Sequence, residues 1–385
     1  MKIVIILPTY NERENIRKMI PLLQQEILPT IKNHQVSLLI VDDTSPDGTA
    51  DEVKAFMHKW HTIKLLSGTK QGLGAAYVRG MQYAMKEMQA DAVMEFDADF
   101  QHDPYDIPRL ISAMDKGADC VIGSRYIAGG SIPKEWGFDR KFLSVVGNWV
   151  ARVVWFNFTV HDVTSGFKLT KSSYLRKIDL DNLLSHTFAY KMQILHDILQ
   201  LKAKVVEVPI VFKERGEGKS KISTSDQFES LYVVLRLGIY DHKRFFKFLV
   251  TGGTGFFLQM VTTAVSIQLG AEQFIAAMIG GEVAILSNFL INNTWTFGDT
   301  KHIKEQGHFF NRLIKFNVAS LASIFTQGGV VYLAVNFLGS HQYLFGYDVP
   351  TSLIILVPTI ILIIIPMNYF IYNYIIWKTQ HLKNN

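Results

Sequence analysis

Two hydrophobic patterns divide the chain. Up to about Asp241, short apolar runs alternate with stretches of helical periodicity; beyond Lys247, long apolar runs are broken only by short polar loops. In the first part, Ile3–Leu7 is continuously apolar, as in a strand buried on both faces. Pro8-Thr9-Tyr10-Asn11-Glu12 follows it, and a helix is expected from about Arg13 to Gln25. Further strands are expected over Val36–Val41, over Ile63–Leu66, up to Asp97, up to Gly123-Ser124-Arg125-Tyr126, and over Lys204–Phe212. Strands alternating with helices predict a mostly parallel sheet with right-handed crossovers. Ligands of such sheets sit beyond the carboxyl ends of the strands, where the polar clusters of this chain fall.

The second part predicts a membrane domain. Four apolar segments, about 248–269, 274–296, 314–337 and 352–376, are each long enough to cross ~30 Å of hydrocarbon. Lys243, Arg244 and Lys247 precede the first; Lys301, Lys304, Arg312 and Lys315 separate the second and third; Lys378 and Lys383 follow the fourth. The loops Gly270–Gln273 and Gly339–Thr351 carry neither Lys nor Arg. The positive-inside rule therefore predicts a multi-pass protein with both termini and the first domain cytoplasmic. Glu282 falls inside the second span, where an ionisable group is costly, and Pro358 and Pro366 are expected to kink the last.

Composition sharpens this picture in two places. The formal charge of +5 is modest and gathers beside the apolar runs, which points to a bilayer surface rather than to nucleic acid. A single cysteine, Cys120, excludes an internal disulfide. At 385 residues, two domains are expected. The opening run, Met1–Pro8, is too short for a signal-peptide core and reads as a first strand.

Candidate chemistry centres on Asp97-Ala98-Asp99-Phe100-Gln101-His102-Asp103-Pro104, where an apolar strand ends in two carboxylates. If the backbone stays extended, Asp97, Asp99 and Gln101 share a side and converge on one hard cation such as Mg²⁺ or Mn²⁺. A solvated strand-to-helix turn has the same residue types, so the tripeptide alone does not decide. Two other stretches are set aside. Gly72-Leu73-Gly74 has Tyr77 where a dinucleotide fingerprint needs its third glycine, and Lys213 stands where a P-loop ending Gly218-Lys219-Ser220 needs its first.

Taken in order, PTYNE, DDTSPDGT, GLGAA, DADFQHDP, GSRY and SGFKL resemble the family-2 glycosyltransferases over roughly the first 220 residues. Within that family they are most similar to the polyprenyl-phosphate glycosyl synthases, with the dolichol-phosphate mannose synthases the nearest group. Asn288–Phe297 resembles the GtrA-like membrane family. The resemblance implies an α/β GT-A domain with a Rossmann-like, mostly parallel sheet, followed by an all-α four-helix transmembrane domain. The expected divisions are 1–222 for the glycosyltransferase domain, 223–247 for an interfacial amphipathic helix and basic linker, 248–377 for the spans, and 378–385 for a tail.

By the same resemblance, Pro8, Tyr10, Glu12, Val41 and Asp43 hold the nucleoside, and Asp43 accepts hydrogen bonds from the base. Asp97, Ala98, Asp99, Gln101, Arg125, Arg215 and Lys221 line the diphosphate, with Asp97, Asp99 and Gln101 about the metal. Arg125, Arg140 and Ser144 meet the acceptor phosphate, and Asp162–Leu169 lines the pocket floor. Lys141, Ser144, Asn148 and Arg152 share one helical face with Trp149 and Trp155 opposite, the pattern of an interfacial helix. The implied reaction is inverting transfer of mannose from GDP-mannose to dolichyl phosphate, with UDP-glucose as the alternative donor. A phosphate monoester is already anionic near neutrality, so no general base is assigned. Two other classes are weighed against this. A processive polysaccharide synthase lacks support because no Gln-x-x-Arg-Trp motif follows the core, and a lipid-sugar translocator rests on the C-terminal half alone. Oligomeric state is left open.

Overall fold

The computed structural model describes residues 1–214, 224–298, 309–344 and 347–377. It divides into two compact units, Met1–Asp241 and His242–Asn385.

The first unit is built on a seven-stranded sheet in the order β3-β2-β1-β4-β6-β5-β7. The strands are β1 Lys2–Thr9, β2 Gln35–Asp42, β3 Ile63–Ser67, β4 Ala92–Glu95, β5 Cys120–Ser124, β6 Lys168–Lys171 and β7 Val205–Pro209. The helices are α1 Arg13–Leu22, α2 Thr49–Lys59, α3 Leu73–Lys86, α4 Ile107–Asp115, α5 Phe138–Val154, the short α6 Ser172–Leu175, α7 Tyr190–Gln200 and α8 Thr224–Asp241. Period-two alternation assigns the β1 side chains to two cores. Val4 and Ile6 pack with residues of α3, α7 and α8, while Ile3, Ile5 and Leu7 pack with α1 and α4.

Three features depart from the sequence reading. β4 stops at Glu95 rather than Asp97, because the chain turns there. The Asp162–Leu169 motif runs into β6, which lies antiparallel between β4 and β5. Residues 224–241 are not part of a linker: Val233, Val234 and Leu237 of α8 sit in the core of the first unit, and Trp155 Nε1 donates to the Val234 carbonyl.

Among its described residues the second unit has four helices long and apolar enough to cross a membrane: Lys243–Gln268, Gln273–Thr296, Phe309–Leu338 and Thr351–Ile376. Lys243, Arg244 and Lys247 are thus the first turns of a span. The loop without Lys or Arg before the last span is a small hairpin, His341–Leu344 paired with Tyr347–Pro350. An aromatic core of Phe248, Phe289, Phe297, Phe316, Tyr372 and Trp377 joins the spans.

Candidate active site

Polar side chains collect beyond the carboxyl ends of β1, β2, β4 and β5. Asp42, which ends β2, is tied down by Thr9 Oγ1 (2.9 Å) and by the Ser45 hydroxyl and amide. Its neighbour Asp43 is buried and accepts a short hydrogen bond from Arg79 of α3. Lys70 Nζ lies 3.6 Å from the centroid of the Tyr10 ring, a cation–π contact at the rim of the same cleft. Asn15 Nδ2 donates to Glu12 at 2.6 Å, and Pro8 and Val41 are buried at the strand ends. The Gly72 turn packs against backbone: a Cβ on Gly72, whose φ is +111°, would meet the His186 carbonyl at 2.5 Å. Close approach, not a nucleotide fingerprint, explains that glycine.

Asp97 and Asp99 lie in the turn after β4, where Phe100 takes φ +61°. The extended alternation expected of residues 97, 99 and 101 is therefore not present; the left-handed residue re-aims the chain between Asp99 and Gln101. Asp97 Oδ1 accepts from the Tyr77 hydroxyl at 2.8 Å, and Asp99 Oδ1 accepts the Gln101 amide at 3.1 Å. Gln101 is bound to Lys213, by backbone at 2.9 Å and by its side-chain amide at 3.4 Å.

The floor comes from the motif before β6. A Cβ on Gly166 would lie 3.2 Å from Lys191 Nζ, 3.6 Å from Asp97 Oδ2 and 3.8 Å from His102 Nε2, so glycine keeps this cradle open. Burial lowers the Lys191 ammonium from its ordinary range, with Asp97 opposing. Burial also pushes His102 down to about 3, so its ring is neutral. That ring packs against Phe167 and Phe212 with Nδ1 lacking a hydrogen-bond partner among the described residues. Below lies a buried pair: Glu95 faces Lys168 across β4 and β6, and the Tyr190 hydroxyl donates to Glu95 at 2.6 Å.

These residues suit a divalent cation shared with a substrate. Asp97 borders an open cradle and Asp99 follows it two residues on, yet among the described residues no three His, Cys, Asp or Glu side chains form a metal cage. Substrate phosphate and water must complete such a coordination sphere, as is usual for Mg²⁺.

Arg125 follows β5 and is fully engaged. Its fork binds Asp162 through two 2.7 Å bonds, and its NH2 also reaches Thr164 Oγ1 at 2.7 Å. Burial opposes its charge, but Asp162 raises it above the ordinary arginine range. Asp162 is held in turn by its own amide, which donates to Glu207 at 2.9 Å.

α5 presents its polar stripe inward. Ser144 Oγ meets the Tyr126 hydroxyl at 2.5 Å, and Asn148 Oδ1 accepts the Val163 amide at 2.7 Å. Arg140 stacks 3.9 Å over Trp136. The outward face is aromatic, with Phe138 and Trp149 83% and 60% exposed and Phe142, Leu143 and Val145 between them. Trp155 is not on that face; it is buried against α7 and α8. Arg215 and Lys221 lie outside the described residues. The sequence reading gave no role to Lys191, His102, Tyr77 or Arg79, and it placed Asp162 only within the motif expected to line the pocket floor.

The chain is similar to known proteins over both units. The family described as glycosyl transferase family 2 matches residues 4–179, and the GtrA/DPMS transmembrane domain matches residues 247–377. A dolichol-phosphate mannosyltransferase from Pyrococcus furiosus is 34% identical over 89% of this chain and 92% of its own. A polyprenol monophosphomannose synthase from Mycolicibacterium smegmatis is 38% identical over 61% of this chain and 86% of its own. Among solved structures, a glucosyl-3-phosphoglycerate synthase from Mycobacterium tuberculosis, in complex with Mn²⁺, uridine diphosphate and phosphoglyceric acid, aligns with a TM-score of 0.46. It is 15% identical over 62% of this chain and 78% of that one. A likeness that loose carries no argument about ligands.

Proposed function

Because the chain belongs to glycosyl transferase family 2, we propose that it transfers mannose from GDP-mannose to a polyprenyl phosphate such as dolichyl phosphate. The names of its relatives support the sugar and the class of acceptor. The observation that carries the reading is the two-faced helix α5. One face offers aromatic residues outward, as a bilayer surface requires, and the other binds Ser144 to Tyr126 and Asn148 to the 162–164 loop that holds Arg125.

In this reading the nucleoside lies over β1 and β2, with Asp43, steadied by Arg79, accepting from the base. Asp97, Asp99 and Gln101 would hold a divalent cation, which would offset the charge growing on the leaving diphosphate. The Tyr77 hydroxyl fixes the Asp97 carboxylate by a hydrogen bond, and the Lys191 ammonium interacts with that carboxylate electrostatically. Arg140 and Ser144 hold the lipid phosphate, and Arg125, locked onto Asp162, shapes the wall between the two substrates. A phosphate oxygen attacks the anomeric carbon as its bond to the GDP oxygen breaks. The electron pair leaves with GDP and the configuration inverts. The nucleophile is already anionic, so alignment rather than proton removal is the protein's contribution. The loops rich in Lys and Arg support a cytoplasmic catalytic unit and cytoplasmic termini.

Arg140→Ala is expected to raise KM for polyprenyl phosphate at least tenfold while leaving KM for the donor unchanged. Steady-state kinetics with each substrate varied in turn makes the test; an unchanged lipid KM would count against the acceptor role.

A further inference from the structure

Two cations, Lys168 and Arg125, lie close enough to the Lys191 ammonium to repel it, and both are already committed. Lys168 is fully buried on β6, and its ammonium donates to the Lys191 carbonyl at 2.8 Å. Arg125 is forked onto Asp162 and reaches Thr164. Lys191 differs. Its Nζ is the atom nearest the point that a Gly166 Cβ would take, at 3.2 Å, with Asp97 Oδ2 and His102 Nε2 next. Among the described residues that ammonium has no hydrogen bond or ion pair; it lies 5.2 Å from the centroid of the Phe188 ring. Asp97 attracts it without pairing with it, and accepts from Tyr77 instead.

The surrounding backbone holds this side chain in place. Lys191 is the second residue of α7, between Met192, which is buried, and Tyr190, whose hydroxyl is anchored on Glu95 at 2.6 Å. The bond from Lys168 to the Lys191 carbonyl pins the same turn. No side chain caps this end of the helix, because Ala189 occupies the N-cap position. The first amides of α7 and the positive end of its dipole therefore add to the charge of the lysine. Across the cradle, His102 is 3% exposed and its Nδ1 has no partner among the described residues.

We propose that Lys191 is a phosphate-binding residue of the reaction centre, its ammonium donating to a substrate phosphate oxygen at the Gly166 cradle. This rests on the transferase reading above, in which two phosphates meet at the anomeric carbon: the leaving diphosphate of the donor and the monophosphate of the acceptor. Both offer anionic oxygens, which an ammonium binds as a point charge. A partly buried cation without a protein partner is costly, and an anion arriving with substrate supplies the missing partner. Lys191 interacts with both Asp97 and Arg125, the groups which that reading gives to the donor and to the wall between the substrates.

Titration calorimetry on the full chain in detergent, with chelator present, tests this without turnover and without metal. The probes are inorganic pyrophosphate, GDP, UDP and a short-chain, water-soluble polyprenyl phosphate. Lys191→Met should weaken binding of pyrophosphate and of the nucleoside diphosphate by roughly tenfold or more if the donor is the source. Loss confined to the polyprenyl phosphate assigns the ammonium to the acceptor instead. Lys191→Arg keeps the charge and should retain most of the affinity that Lys191→Met loses. Pyrophosphate carries neither base nor sugar, so its binding through Lys191 while GDP fails to bind would uphold the phosphate site and remove the GDP-mannose reading. Every probe binding Lys191→Met as tightly as the native protein would overturn the proposal. So would equal losses in the Met and Arg variants, or a native protein that takes up none of the four probes.

Discussion

At Gly166 the site has room for chemistry because a side chain is missing. The point its Cβ would occupy is ringed by Lys191, Asp97 and His102. Gly166→Ala is expected to lower kcat by roughly a hundredfold through displacement of the Lys191 ammonium, which a Cβ would meet at 3.2 Å, with the melting temperature little changed. A kcat within twofold of the native value would remove Gly166 from the site. Asp99→Ala should abolish metal-dependent transfer while membrane insertion stays intact, and full activity of that variant under chelator would sink the metal assignment. The carboxylates themselves were legible, since two acids directly after an apolar run are a local signal. Their geometry was not: nothing local announces that Phe100 turns left-handed. Lys191 and Arg79 were equally hidden, because a lone basic residue on a helix gains meaning only from neighbours far away in sequence.

Among the elements, α5 carries the most of the proposed function. Its periodicity was readable as one polar stripe and one aromatic face, but the sequence could not say which face meets protein. Asn148 and Ser144 decide it, because their partners at 163 and 126 come from other segments. Replacing Phe142 and Trp149 together by Glu should cut transfer to lipid in vesicles by roughly tenfold. A short-chain, water-soluble polyprenyl phosphate should still be used normally; equal losses on both acceptors would contradict membrane contact through this helix. The antiparallel β6 escaped the sequence reading because four residues between loops carry too little pattern.

α8 offers a pH test. Burial disfavours the charged form of His196, yet hydrogen bonds to Asp197 and Asp241 raise it to about 9. A pKa raised in the folded state stabilises fully below the unfolded value near 6.5 and loses that contribution as pH climbs through about 9. Thermal stability of the first unit should therefore fall between pH 7 and 9.5, and His196→Gln should flatten that fall. An identical pH profile in the variant would exclude the His196–Asp241 link.

Across the whole molecule, a family 2 sheet is joined in one chain to a domain with four apolar helices among its described residues. The change in hydropathy near Asp241 was legible, but the expected boundary at 222 left α8 outside the first unit, whose core holds Val233, Val234 and Leu237. Pairing a lipid-phosphate transferase with a membrane domain makes physical sense, since the acceptor's phosphate is confined to the bilayer surface.

The central claim is tested most directly by giving the full-length protein in detergent dolichyl phosphate and labelled GDP-mannose or UDP-glucose, with Mn²⁺ or with chelator. Mannosyl-phosphate lipid from GDP-mannose, formed with Mn²⁺ and lost with chelator, is the predicted result. Failure to form a lipid-linked sugar from either donor, or formation undiminished by chelator, would contradict it.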